Sequence, residues 1–184
     1  MGGNKMHIGI AAAGLGAALV LTPAIVAAAA KPAPACAAGA VLPPELSDWS
    51  RAAASKTIYA YGEPREASWP PLGAARTALG LHRFESLRFE IAPERKPDPF
   101  KYGGMVPIEV KTPGRLVVAL GAGAWIDLVR DGKFLKSIAH GHGPDCSGIR
   151  KMVEYDVEPG RYLLQISSAP AASIDAMAIL RDSL

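Results

Sequence analysis

Residues 125–139 read WIDLVRDGKFLKSIA, and the fold class follows from them. Asp131-Gly132 separates two runs in which apolar and polar residues alternate. That dipeptide favours a two-residue type I′ turn, because both central positions must take positive φ. The turn sets the register of a hairpin. Leu128 faces Leu135 and Ile126 faces Ser137 on one side; Val129 faces Phe134, Asp127 faces Lys136 and Trp125 faces Ile138 on the other. An exposed Asp127–Lys136 pair contributes less than about 1 kcal/mol, so its expected use is to mark the face that meets solvent.

The same two-residue period recurs on both sides of this hairpin. Upstream, Leu87, Phe89 and Ile91 alternate with Arg88 and Glu90. A polar connection with several prolines, Pro93 to Gly104, leads to Val106, Ile108 and Val110. Thr112-Pro113-Gly114-Arg115 then has Pro and Gly in the order of a type II turn, and Leu116 to Leu120 is the expected returning strand. Downstream, Val153, Tyr155 and Val157 precede Glu158-Pro159-Gly160-Arg161, and Tyr162 to Ile166 returns. Ile174 to Leu180 closes the series. The two PGR turns predict two similar hairpins. About eight short strands with a turn signal every ten residues or so predict an all-β fold, an antiparallel β-sandwich or jelly roll spanning residues 76–184.

Ahead of that domain the composition changes twice. Residues 31–75 carry Pro32, Pro34, Pro43, Pro44, Pro64, Pro70 and Pro71, which repeatedly remove backbone donors. They predict an irregular leader with a short helical turn from Glu45 to Ala54 and Trp49 as its packing residue. Residues 1–30 contain a single formal charge, Lys5, followed by an apolar stretch and small residues at alternate positions, the pattern of a secretory signal peptide. Left uncleaved, the same segment is an anchor of membrane-spanning length. Either way residues 31–184 are placed outside the cytoplasm, periplasmic or secreted.

Charge narrows the function classes. The chain has 20 basic and 17 acidic residues, and setting aside Lys5 leaves 19 against 17 in the remainder. A nearly neutral, interspersed pattern excludes a nucleic-acid binder built on a basic patch. The membrane enters only through the N-terminal segment, uncleaved or lipidated. Two cysteines, Cys36 and Cys146, predict a disulfide in an oxidising compartment. Acylation or loss of Cys36 leaves Cys146 a lone thiol.

The densest polar cluster is His140-Gly141-His142-Gly143-Pro144-Asp145-Cys146-Ser147-Gly148. Two histidines one residue apart point the same way in an extended chain, and imidazoles with a carboxylate suit zinc or iron. One reading is a metal site of His140, His142 and Asp145, with His82 or a leader residue completing it. The other is a glycine-rich loop bonded to its own backbone and pinned by Cys146. Cys146 as a nucleophile and Ser147 outside a GxSxG context are weaker chemical candidates. Trp125, Tyr155 and Tyr162 on strands offer stacking surfaces, and Arg150 and Lys151 offer charge for an anionic ligand. Gly121-Ala122-Gly123 joins two strands, so it lacks the context of a nucleotide loop.

Residues 124–166, AWIDLVRDGKFLKSIAHGHGPDCSGIRKMVEYDVEPGRYLLQI, resemble a group of small exported bacterial proteins. These share a WIDVVRDG-type hairpin, an HGHGPDC loop followed by GIRK, and a PGRY-LQI hairpin, and members are often labelled homogentisate dioxygenase. That label implies iron held by histidines and a glutamate; here Asp145 and Cys146 follow the histidine pair, and the first downstream glutamate is Glu154. More distantly, the hairpins are similar to pre-peptidase C-terminal sandwich domains, which implies an accessory or binding role. The expected function is a non-catalytic exported sandwich that meets a ligand or an envelope protein through the loop 140–150, with Trp125 and Arg150 as contacts. The alternative is a small cupin-like, metal-dependent enzyme using His140, His142 and Asp145.

Overall fold

The computed structural model describes residues 1–3, 36, 40–51, 57–63 and 70–181. Residues 1–33 group by themselves, and residues 34–184 make the second unit, which carries every element below. The expected signal helix falls outside the described residues beyond its first three positions. Among the described residues no helix is long and apolar enough to cross a membrane.

The second unit is an all-β sandwich of two sheets. The first sheet runs β1 (Ile58–Tyr59), β2 (Thr77–Gly80), β11 (Ser173–Arg181), β5 (Gly114–Leu120), β9 (Lys151–Val157) and β8 (Ala139–Gly141). The second runs β3 (His82–Arg83), β4 (Tyr102–Val110), β10 (Gly160–Ala169), β6 (Trp125–Arg130) and β7 (Lys133–Phe134). All the pairings are antiparallel except β1 with β2, which is parallel.

The expected PGR hairpins are not hairpins. β4 and β5 lie in opposite sheets, as do β9 and β10, so each PGR segment is an arch that carries the chain across the core. The arches interlock. β4 pairs with β10, with Val110 opposite Gly160, while β5 pairs with β9, with Gly114 opposite Val157. Gly114 is not among the positive-φ glycines, so the type II geometry is absent there. The physical reason lies in the side-chain period. Val106, Ile108 and Val110 face the core from one sheet, and Leu116, Val118 and Leu120 face it from the other. Alternation says which side of a strand is buried, and an arch satisfies it as well as a hairpin does.

The Asp-Gly hairpin forms at its tip and then departs from expectation. Asp131 and Gly132 have φ of 52° and 66°, as a type I′ turn requires. Arg130 faces Lys133, Val129 faces Phe134, and Leu135 N donates to Leu128 O at 2.8 Å. Beyond Leu135 the strand switches sheets: Ile138 N donates to Glu154 O, and β8 pairs with β9. On its other edge β6 pairs with β10, where Asp127 faces Gln165 and Trp125 faces Ser167, and the β7 edge is left without a ladder beyond Leu128. The expected Asp127–Lys136 and Trp125–Ile138 pairs therefore do not form, and Asp127 is buried rather than facing solvent.

Each sheet's outer face has its own cover. The first sheet presents Val117, Ala119, Met177 and Ile179 outward, and these pack under Leu46, Trp49 and Ile149. Leu46 and Trp49 belong to a 3₁₀ helix, Pro44–Ser50. The stretch expected as a leader thus supplies core residues, Leu46, Trp49, Ala60, Tyr61 and Leu72 among them, and strand β1. The described part of the expected helical turn is 3₁₀ rather than α, and Ala52 to Ala54 lie outside the described residues.

The second sheet is covered by the connection from β3 to β4. Leu87, Phe89 and Ile91 were expected in a strand, but this stretch contains none. From Glu90 on its backbone bonds to side chains instead of to a ladder: Glu90 N and Ile91 N donate to Gln165 Oε1 at 3.1 and 3.4 Å, and Gln165 Nε2 donates to Ile91 O at 3.0 Å. Glu94 N donates to Asp127 Oδ2 and Asp98 N to Ser168 Oγ. Residues 87–101 form a strap across the sheet, tethered at Gln165, Asp127 and Ser168.

Candidate functional site

The histidine loop is a bonded strut. His142 Nδ1–H donates to Arg150 O at 2.7 Å, since a carbonyl only accepts. Gly143 N donates to Ile149 O, Ser147 N to Pro144 O, and Ile149 N to Ser147 Oγ. Cys146 and Gly148 turn the chain with φ of 62° and 76°. A Cβ on Gly143 would stand 2.4 Å from Ile149 Cβ, so the loop closes only around glycine there.

The loop is also fastened from outside. Cys36 and Cys146 form the expected disulfide, and Trp49 Nε1 donates to Ser147 O at 2.9 Å. Ile149 is buried under the N-terminal cover. His140 sits on the edge strand β8, opposite Val153, and is exposed along with His142, Asp145 and Arg150. Among the described residues no three His, Cys, Asp or Glu side chains gather as an ion would need. The sulfur of Cys146 is committed to the disulfide, and His82 Nε2 bonds to Ala60 O on another sheet edge. Among the described residues, His140, His142 and Asp145 are not gathered into a ligand set for iron or zinc.

Of the three strand aromatics, Tyr155 and Tyr162 are core residues, each 2% exposed. Burial pushes the Tyr155 phenol far up, with the nearby Asp127 and Glu94 charges adding to the shift. The Tyr162 hydroxyl donates to Glu158 O at 2.7 Å and accepts from Arg130 Nη1 at 2.8 Å, bracing the second arch. Neither presents a stacking face. Trp125 differs from both, because it is only partly buried and lines an open cleft of about 490 Å³.

Four separate parts of the chain meet at this cleft. Arg95, Lys96, Pro97, Asp98 and Lys101 come from the strap, and Gly123 and Ala124 come just ahead of β6, which Trp125 begins. Lys151 begins β9, and Ser168 lies in β10. Ser168 has a φ of 57°, in the left-handed region where a non-glycine residue is strained. It occupies the irregularity between Ile166 and Ala169 where β10 slips against β4. Such a bulge re-aims a side chain, and here Ser168 Oγ receives Asp98 N at 3.0 Å. Local strain at β10 thus holds one wall of the cleft.

The indole is held from below and flanked by cations. Trp125 Nε1–H donates to Asp127 Oδ1 at 2.7 Å. Burial raises the Asp127 carboxyl above its ordinary value, against the lowering effect of its bonds from Trp125 and Glu94 N. The Arg95 guanidinium lies 5.7 Å from the Trp125 ring centroid and the Lys151 ammonium 6.0 Å. Both are within cation–π range.

Of the contacts expected from sequence, Trp125 stands in this cleft and Arg150 does not line it. Its neighbour Lys151 does, because alternation along the strand sends successive side chains to opposite faces. The strap's contribution was missed, since Arg95, Lys96 and Lys101 fall in a connection assigned only to linking strands. The signal was there in ERKPDPFK, residues 94–101, a basic cluster punctuated by prolines within a long loop. No family model, curated protein or solved structure matches the chain.

Proposed function

We propose that the chain is an exported, non-catalytic β-sandwich protein that binds a ligand in the Trp125 cleft, with the loop 140–150 as the strut that fastens its N-terminal cover. The observation that carries this reading is the cleft, a concavity where four separate segments converge, among them a partly buried indole and a strained serine. The loop 140–150, expected from sequence to be the contact surface, has much of its bonding committed internally or to the cover. Export draws support from the charge-poor first thirty residues and from the disulfide, which suits an oxidising compartment. The signal helix and the jelly-roll form of the sandwich belong to the same proposal, as does kinship with the small exported proteins that share the HGHGPDC loop.

The test is a nuclear magnetic resonance screen of small polar and ring compounds against the full-length protein, following the Trp125 indole N–H and the amides of residues 140–150. Compounds that bind are expected to shift Trp125, Ser168 and residues 95–101 together. Shifts confined to residues 140–150 would move the binding surface back to the histidine loop.

A further inference from the structure

We propose that the Trp125 cleft takes a ligand carrying an oxyanion, a carboxylate, phosphate or sulfate group, seated between Arg95 and Lys151; the inference rests on the cleft's being the binding site. Four cations line the cleft, Arg95, Lys96, Lys101 and Lys151, against one carboxylate, Asp98. That carboxylate is already engaged, with Lys101 Nζ 3.7 Å from Oδ2 and Phe100 N donating to Oδ1 at 3.0 Å. Arg95, Lys96 and Lys151 make no ion pair among the described residues. The contrast is with the arginines that brace the fold, where Arg76 meets Asp175 at 2.6 Å and Arg181 meets Glu45 at 3.0 Å.

What gathers Arg95 and Lys151 is the indole. Cation–π attraction holds a positive charge near a ring without cancelling it, so the field of the two cations stays open toward the cleft. An oxyanion answers that field with several lone pairs. It can accept from the flat guanidinium fork and from the ammonium at once, bonds stronger than those between neutral groups. The indole N–H is spent on Asp127, so Trp125 has no donor left for the ligand. It offers carbon alone, which suits an uncharged ring or chain next to the anionic group.

The experiment uses the full-length protein with phenyl phosphate, phenyl sulfate and benzoate as probes, and benzyl alcohol as the neutral control. At least one anionic probe is expected to shift the Trp125 indole N–H and to bind tenfold or more tighter than benzyl alcohol, with affinity falling as salt rises. The order among the three identifies the group. Inorganic phosphate compared with phenyl phosphate separates a free ion from an ester, both of which uphold the oxyanion. Arg95→Gln and Lys151→Gln are each expected to weaken the best probe about tenfold, the loss that goes with one charge-assisted hydrogen bond. Lys133→Gln with Lys136→Gln, exposed positions on β7 and just beyond it, is expected to change nothing.

Equal binding of benzyl alcohol overturns the proposal. So do parental affinity in both cleft variants, an equal loss in the Lys133 and Lys136 variant, and a flat Trp125 response to every anionic probe. Failure of the wider reading looks different. If neutral compounds shift Trp125 while anions do not, the cleft binds ligands and only the oxyanion falls. If nothing shifts Trp125 but residues 140–150 respond, the cleft itself falls.

Discussion

The two sheets are covered in opposite ways. Over the first sheet lie Leu46 and Trp49, nearly fully buried against Val117, Ala119, Met177 and Ile179 and tied down by the Cys36–Cys146 disulfide. An ionic contact, Arg181 with Glu45 at 3.0 Å, adds to that hold. Over the second sheet lies the strap, fixed by hydrogen bonds to Gln165, Asp127 and Ser168. An apolar cover gains from expelling water everywhere it touches. A polar cover holds only where its donors meet acceptors, and so leaves room between its tethers. The cleft opens on the second sheet for that reason, and the first sheet's cover serves stability.

If this division is right, the largest losses come from the first cover. The disulfide joins residues 110 apart in sequence. Cys36→Ser is expected to lower unfolding free energy by about 4–5 kcal/mol, the chain-entropy figure for a loop near that length. Urea unfolding measures it, and a loss below about 1 kcal/mol would mean that the cover docks without its crosslink. Trp49→Ala comes next, at about 3–4 kcal/mol, as for other large buried aromatics. It also removes the bond to Ser147 O, so slowed exchange at Ile149 N–H should be lost with it. Neither change is expected to alter probe binding at Trp125. A coupled loss of binding would show the two covers to be one cooperative unit.

On the second cover the expected effect is smaller and local. Gln165 is 1% exposed and satisfies Glu90 N, Ile91 N and Ile91 O with one amide. Gln165→Leu removes all three bonds at similar volume and is expected to cost about 1–3 kcal/mol, the range for leaving buried polar groups unpaired. Hydrogen exchange at Glu90 and Ile91 should rise well before the core amides respond. Global unfolding with no local phase would show that the strap is part of the core after all.

The sequence carried the strands better than their connections. Alternation located β4, β6 and β9, because each has one face in the common core, and the turn signals beside them placed β5 and β10. It was silent on whether neighbours in sequence pair, and both PGR segments became arches. The Asp-Gly turn was legible because its positive-φ geometry is local chemistry. The continuous apolar run Leu116 to Leu120 held an unread hint, since a strand buried on both faces needs a second cover. Leu87, Phe89 and Ile91 misled because an extended strap alternates like a strand while its hydrogen bonds, from Glu90 onward, are chiefly with side chains. At the site, Trp125 was visible as a residue type, but its company came from loops, whose meeting in space has no period to reveal it.

The finest probe of the difference between the covers is Asp127, which the first cover has no counterpart for. It is 4% exposed, beneath Trp125 Nε1 and Glu94 N, and burial raises its carboxyl above the ordinary value. A carboxyl raised on folding binds protons more tightly in the native state, so its contribution to stability is greatest at low pH and falls as pH rises through the elevated value. The native bonds from Trp125 and Glu94 offset part of the desolvation cost and do not reverse the sign. Asp127→Asn has no such titration and can still accept from Trp125 through Oδ1. At neutral pH it is expected to lie within about 1 kcal/mol of the parent, because it sheds a desolvated charge while turning an amide donor toward Glu94 N. The stability of the variant relative to the parent should rise with pH over the window opening at about pH 4, where an ordinary aspartate is half titrated. Unfolding free energies of both proteins across that window measure the slope. A slope of the opposite sign would mean that the tether, rather than its burial, governs Asp127, and that the strap is held chiefly by charge.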